Sequence, residues 1–448
     1  MNAFARRGAC PALSAPMQTG DGLLARLHTI AGGLPPRALI GLCESALRHG
    51  NGIIDVTARG SIQIRGLTPS SAQALAREVD ALEIDVRTGV PVETGPLAGI
   101  DAGEIADPRP LASEIRNAIE KAGLAARLGP KVSVVVDGGG RLPMDAVLAD
   151  VRLVASSSGW LLSTGGTAAS ARRIGIVNDA QACIAAIAIL EAVATLGREA
   201  RARDLADPHR IIAAIPLSAR PERSNPQAPS TAASITMFPL ADGTLALGIA
   251  LPFGSMPAEN IAALAQGAIA LGVTEIRPAP SRALLFPGMN GDACDTLRDA
   301  AASLGFITDA ADPRLSIAAC PGAPACGSGR IATRALAERI AARHADLLDG
   351  SFTLHVSGCA KGCAHPAPTA LTLAGHDLDD HDGGAGIALD ATARAPAAEA
   401  HVVADAQAGI ARVASLVQHM RHPDETVAAC LARLGAAAVT TAFMQGRE

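Results

Sequence analysis

The 448-residue chain has no tyrosine, a single tryptophan, three lysines and no uncharged apolar run long enough to span a bilayer. Each scarcity excludes something. With few aromatic side chains, no Lys/Arg-rich block and a net charge of −5, the chain has little for bases to stack on or phosphates to follow, which argues against nucleic acid as a partner. The missing apolar run argues against a membrane span. The opening "MNAFARRGACPALSAPMQTG" carries two arginines but no apolar h-region of about 7–15 residues, so residues 1–19 read as a cytoplasmic arm rather than a secretory signal. Lys121, Lys131 and Lys361 are the only lysines, and the excess of Arg, Ala and Gly reads as genome composition rather than function.

What is present is a 49% hydrophobic chain, long enough at about 150 residues per domain for three or four domains. It reads as two similar halves. "DAQACIAAIA" from Asp179 and "DAQAGIARVA" from Asp405 agree at seven of ten positions, 226 residues apart. Pro35, Gly50 and Gly66 lie over Pro257, Gly272 and Gly288 at a common offset of 222, and "KVSVVVDGGG" from Lys131 lies over "SFTLHVSGCA" from Ser351 at 220. Within the first half, "LLARLHTI" alternates like a strand, Leu39 to Leu47 follows helical spacing, and "GIIDVTA" and "SIQIRG" are β-rich before a second helical run over 70–82. That order, β-α-β-β-α, begins a ferredoxin-like split unit. The following "ASEIRNAIEKAGLAARL", "KVSVVVDG" and "VRLVASS", and the apolar helix from Asn178, form a separate α/β layer, with "STGGT" (163–167) as a β-turn. "SARPERSNPQAPSTAAS", 218–234, is the linker.

Nine cysteines over such a length do not make the dense framework of a small secreted domain. Cys10, Cys43, Cys183, Cys294 and Cys430 read as buried small apolar side chains. Cys320 and Cys326 (C-x5-C), with Cys359 and Cys363 (C-x3-C), are different. Structural zinc favours tighter pairs, whereas four thiolates on two Gly/Ala/Pro loops, where backbone N–H groups can approach sulfur, suit an iron–sulfur cluster. The first-half counterpart reads "DGGG" (137–140), so only one half would carry a cluster. No complete G-x-G-x-x-G occurs; "GSGR" and "GGAG" fall short, and no flavin or nicotinamide site is expected.

The two cysteine pairs and a repeated unit ending in "TARGSIQIRG" resemble the sulfite and nitrite reductase superfamily. The resemblance implies an α+β fold of two ferredoxin-like units (20–86 and 235–296) and two α/β domains (87–217, cluster-free, and 297–448, with a [4Fe–4S] cluster on Cys320, Cys326, Cys359 and Cys363) about a pseudo-twofold axis. More narrowly, "RRGACPALSAPMQTGDGLLARL" and "LHVSGCAKGCAHP" look like the branch that hydroxylates the tetrapyrrole precorrin-3A with O2, closing a ring A lactone, in cobalamin biosynthesis. In that branch the tetrapyrrole is substrate, a mononuclear non-haem iron is implied, and electrons come from a separate reductase or carrier. The alternative is a siroheme-dependent sulfite or nitrite reductase, and a plain electron-transfer protein is a third reading.

Arg59 matches the reductases' anion-binding Arg, and Lys131 the first of their K-x-K pair; Ser133 stands where the second Lys would be, and "GVPVET" replaces their R-N-V segment. A substrate fringed with carboxylates needs spaced cationic donors, and Arg59, Arg65, Lys131, Arg141, Arg277 and Arg282 are the candidates. No acid, base or nucleophile stands out as catalytic, and no 2-His-1-carboxylate pattern is legible around His355 and His365.

Overall fold

The computed structural model describes residues 11–29, 33–218, 234–378, 381–395 and 402–445. The linker, save its two end residues, and Cys10 lie outside these. Strands β1 (Met17–Thr19), β2 (Gly22–Leu27), β3 (Ile53–Val56) and β4 (Ile62–Leu67) pair in the order β1-β2-β4-β3, with helices Pro36–His49 and Pro69–Ala81 packed on one face. Thr68 caps the second helix, its Oγ1 accepting from Ser71 N at 3.1 Å, with proline at the first helical position where no N–H is needed. Residues 17–19, expected in the arm, are instead the edge strand of this sheet.

A second sheet runs β5 (Val92–Thr94), β6 (Val134–Asp137), β7 (Ala149–Ser156), β8 (Gly159–Gly166) and β9 (Arg172–Val177), in sequence order. Its first two pairings are parallel and its last two antiparallel. The stretch 163–166, expected in a turn, is the end of β8; Thr164 pairs with Arg172 and leaves the turn to the residues beyond.

The second half repeats both topologies. Strands β10 (Met237–Pro239), β11 (Leu245–Ala250), β13 (Arg277–Ala279) and β14 (Ala283–Met289) again order as first, second, fourth, third, while β12 (Ser255–Pro257) leaves to pair with β3. Strands β15 (Ile317–Ala319), β16 (Leu354–Ser357), β17 (Thr369–Leu378), β18 (His381–Ala391) and β19 (Val402–Val403) follow the parallel, parallel, antiparallel, antiparallel pattern.

The halves interlock reciprocally. Met256 pairs with Ile54 and Leu34 with Ile276, and shifting Leu34 and Ile54 by 222 residues gives Met256 and Ile276. Such an exchange is the mark of a twofold relation. All four side chains lie in one core shared by the two ferredoxin-like units rather than one core each. Each large side chain buried there contributes about 1.5–3 kcal/mol.

The outer faces of the two related sheets differ. In the second half Ala246, Ala283 and Leu285 point away from the shared core and pack on Leu97 and Leu142, forming a closed apolar layer. In the first half, the corresponding face carries Arg26, Gln63 and Arg65, while Ala25, Leu27, Ile62 and Ile64 fill the core. One face is sealed and its counterpart is open.

Two helices, Asp179–Leu196 and Val427–Met444, are long and apolar enough to cross a membrane by length and composition, where no such segment was expected. Both are alanine-rich and place Ile189, Leu190 and Val193, or Leu431, Val439 and Phe443, in the cores of their own α/β domains.

Candidate active site

The open face of the first sheet forms the floor of a cavity of about 1250 Å³. Strand alternation sets its chemistry: because successive side chains point to opposite faces, Ala25, Leu27, Ile62 and Ile64 face the core, and Leu24, Arg26, His28, Gln63 and Arg65 face the cavity. Nine Arg or Lys residues line it against four Asp or Glu, although the whole chain is net negative.

Most of these cations are committed to protein groups. The Gln63 amide, turned with its oxygen toward β2, accepts from Arg26 Nη2 and Nε at 2.5 and 2.7 Å. Arg334 Nη2 donates to Asp55 Oδ1 at 3.0 Å and its Nη1 to Ser255 Oγ at 2.8 Å. Arg87 grips Glu93 through two nitrogens at 2.6 and 2.8 Å and donates to His28 Nδ1 at 2.7 Å. Burial, with the Arg87 charge next, holds His28 down at about 4, so its imidazole is neutral at pH 7. Burial alone would raise the Glu93 carboxyl, but the charge and hydrogen bonds of Arg87 hold it below its usual range.

Arg59 and Lys131 are exposed, and among the described residues their side chains make no hydrogen bond or ion pair. Arg59 sits at the tip of the β3–β4 hairpin, which meets the equivalent β13–β14 turn at the pseudo-twofold: Arg59 bridges to Pro280, and Ser281 N donates to Ala58 O at 3.2 Å. Ser281 and Arg282 both adopt left-handed backbone (φ 63° and 65°), a conformation that costs non-glycine residues energy and clusters at functional sites. It directs Arg282 into the cavity, where its Nη2 donates to Ala364 O at 3.3 Å.

Of the six candidate carboxylate binders, Arg59, Arg65, Lys131 and Arg282 line the cavity. Arg65 does so as a buried group whose Nε and Nη2 are committed, bound to Asp21 at 3.0 and 3.1 Å and to Ala325 O at 2.6 Å. Arg141 and Arg277 do not reach the cavity. Arg141 is half exposed beside Asp101, and Arg277 is a buried pin that joins Glu275 at 2.9 Å to the carbonyls of Pro96 and Ala98. Arg26, His28, Gln63, Arg87 and Arg334 were not singled out from the sequence, yet "LLARLHTI" and "SIQIRG" announce most of them as the polar phase of an alternating strand.

The four paired cysteines come together at one end of the cavity, on the loops after β15 and β16. Gly358 N donates to Cys320 Sγ at 3.1 Å, Arg330 N donates to Gly358 O at 2.8 Å, and Lys361 Nζ reaches Ser328 Oγ at 2.7 Å, tying one loop to the other. A Cβ on Gly358 would lie 3.0 Å from Gly322 Cα and 3.3 Å from Gly329 Cα, closer than ordinary contact, so glycine here lets the loops approach tightly. Burial, then the charges of Cys359, Cys320 and Cys326, push the Cys363 thiol up against a smaller lowering by Lys361, as expected of thiols gathered at one place. No three His, Cys, Asp or Glu side chains among the described residues stand close enough to hold a single metal ion. The thiols are therefore spread wider than a zinc site, and an all-sulfur donor set with a backbone N–H on one sulfur fits an iron–sulfur cluster. The same observation leaves a mononuclear iron no ligand set among these residues. His355 is fully buried with neither ring nitrogen hydrogen-bonded, and its ring lies 5.8 Å from that of His365, but no carboxylate joins them. Cys43, Cys183, Cys294 and Cys430 are buried in cores.

Residues 15–82 match the nitrite/sulfite reductase ferredoxin-like half domain. The fold is similar to the solved structure of the Mycobacterium tuberculosis NirA protein, with a TM-score of 0.74 over 93% of this chain and 84% of that one, at 19% identity, a likeness of fold. A curated protein of Sinorhizobium sp, "Precorrin-3B synthase", is 41% identical over 445 residues, 98% of this chain and 95% of the relative. The chain belongs to the precorrin-3B synthase family. A precorrin-3B synthase-type chain is an oxidoreductase on a reductase-like α+β scaffold, and here the departures from the reductase pattern are physical. Ser133 is buried, its N–H on Asp150 at 3.1 Å and its Oγ on Leu148 O at 3.3 Å, leaving no second lysine beside Lys131.

Proposed function

We propose that the chain converts precorrin-3A to precorrin-3B as an O2-dependent monooxygenase of cobalamin biosynthesis. One oxygen atom enters the macrocycle as a hydroxyl while a ring A acetate closes a lactone; the other leaves as water, with two electrons and two protons from an external donor. The observation that carries this reading is the presence of two exposed cations, Arg59 and Lys131, with no side-chain partner among the described residues, on a cavity that also holds four gathered thiols. Its volume of about 1250 Å³ exceeds the range of about 300–1,000 Å³ typical of small-ligand sites and has room for a macrocycle.

Cys320, Cys326, Cys359 and Cys363 are the residues that would hold a [4Fe–4S] cluster, which when bound supplies single-electron transfer at the cavity wall. Arg59, Lys131 and Arg282 bind the substrate's carboxylates, Arg59 and Arg282 from turns related by the pseudo-twofold and Lys131 from the loop before β6. Leu24, Ile84 and Phe253 give the macrocycle an apolar wall. His28, neutral and fixed by Arg87, presents a polar ring without adding charge. In this reading the first α/β domain (87–217) is the cluster-free wall, the second (297–448) carries the cluster, and the enzyme works in the cytoplasm with a separate electron donor. A siroheme-dependent sulfite or nitrite reductase is the alternative, weakened by the buried Ser133 in place of a second lysine.

The test is anaerobic purification with iron, sulfide and absorption measurements, then incubation with precorrin-3A, O2 and a reducing system. Iron and sulfide without siroheme bands, and a product one oxygen heavier, are expected. Siroheme bands with unchanged precorrin would overturn the assignment in favour of the reductase.

A further inference from the structure

The loop between Cys320 and Cys326 is held from outside its own domain. Arg65 lies on β4 of the first ferredoxin-like unit with 5% of its surface exposed, and its Nη2 donates to Ala325 O, the carbonyl just before Cys326, at 2.6 Å. The guanidinium is fixed in turn by Asp21, which accepts from Nε at 3.1 Å and from Nη2 at 3.0 Å. Asp21 is itself set by Thr19 Oγ1 at 2.7 Å and Asn51 Nδ2 at 3.1 Å. Beside it the β1–β2 turn presses on the same loop: a Cβ on Gly20 would stand 2.4 Å from Gly327 N and 2.8 Å from the Cys326 carbonyl carbon, a clash with backbone that cannot swing away.

We infer that Arg65, Asp21 and Gly20 form a clamp by which the N-terminal half positions the Cys326 ligand, so that Arg65 is a positioning residue for the cluster and not a binder of substrate carboxylate. The inference rests on the cysteines being cluster ligands. Its physical basis is that an arginine with its charge neutralised by a bidentate carboxylate, and a further N–H spent on a carbonyl, has little left to offer an anionic substrate. Fixing Ala325 O also orients the peptide that precedes Cys326, and outer-shell partners of this kind govern how firmly ligands hold metal.

The experiment uses the full chain purified anaerobically, wild type beside Arg65→Met, Arg65→Lys and Gly20→Ala. Iron and sulfide per chain, the EPR spectrum of the reduced cluster, the rate of cluster loss to a chelator, and KM for precorrin-3A are measured. Arg65→Met is expected to lose its cluster about tenfold faster, the low end of the effect of losing an outer-shell partner, with altered EPR line positions and an unchanged KM in the loaded fraction. Arg65→Lys, keeping the charge and one donor, recovers part of the loss. Gly20→Ala perturbs the same loop without touching a cation, and decides the matter should Arg65→Met fail to fold by circular dichroism. Wild-type cluster stability and EPR in Gly20→Ala and in the Arg65 variants, with or without a raised KM, would overturn the clamp; a raised KM would return Arg65 to the substrate. A wild-type protein lacking iron and sulfide would overturn the underlying cluster reading instead.

Discussion

Arg59 and Arg65 stand six positions apart on one hairpin, yet their surroundings differ, because of the two only Arg65 meets a carboxylate and a carbonyl among the described residues. A hydrogen bond to a charged group is worth about 1.5–3 kcal/mol, so Arg59→Ala and Lys131→Ala should each raise KM for the precorrin about 10- to 100-fold. Their iron and sulfide content should match wild type, and steady-state kinetics beside metal analysis checks both halves of the expectation. His28 makes a different demand. Its folded-state value of about 4 lies below the ordinary 6.5 of an unfolded chain, so between these values the unfolded chain binds more protons than the folded one. The stability tied to a neutral His28 is complete above about pH 6.5 and is lost as pH falls toward 4. Thermal melts from pH 7 to 5 should show a falling Tm, and His28→Gln should fall less steeply; equal slopes would remove His28 from the account.

At the level of strands and loops, the site is a matter of phase and of close approach. β2 and β4 put one residue phase into the shared core and the other on the cavity floor, so Arg26, His28, Gln63 and Arg65 share a face although the chain between them folds into a helix and a strand. The two cysteine loops, in contrast, meet through glycine. Adding a methyl group in Gly358→Ala would press on Gly322 and Gly329 of the loop that carries Cys320 and Cys326, and the expected result is a protein with wild-type secondary structure but less than half the wild-type iron and sulfide. Full cluster content in that variant would show that the loops can yield. This division explains what could be read in advance. The repeat at an offset of 222, the paired cysteines and the anion-binding look of Arg59 and Lys131 are local in sequence, and the strand order and the gathering of the thiols followed. The roles of Arg141 and Arg277 were illegible, because an arginine's partner decides its task and those partners, Asp101, Pro96 and Ala98, come from segments 40 or about 180 residues away. The fate of 163–166 turned on the same thing, since pairing with β7 on one side and β9 on the other makes that glycine-rich stretch a strand end.

Across the whole molecule, the pseudo-twofold yields one site because one of two equivalent sheet faces was sealed with Leu97, Leu142 and Leu285 while the other kept its arginines. Arg277 belongs to that scaffold: Arg277→Met should lower Tm by several degrees, since it strips the Pro96 and Ala98 carbonyls of their donor, and leave KM for precorrin unchanged. The open face concentrates positive charge in a chain that is negative overall, and such a cleft draws in anions from beyond contact distance. A precorrin with its several carboxylates is the kind of ligand this field serves. Since exposed charges are screened over about 8–10 Å at physiological salt, kcat/KM should fall as ionic strength rises from low to physiological values while kcat changes little. In Arg59→Ala combined with Lys131→Ala, two of the exposed cations lining the cavity are gone while Arg198 and Lys361 remain, so the salt dependence should become shallower as well as the affinity fall. A double variant that loses affinity but keeps the wild-type salt slope would mean that these residues act only by contact, and that the remaining cations of the cavity, exposed Arg198 and Lys361 among them, supply the long-range attraction.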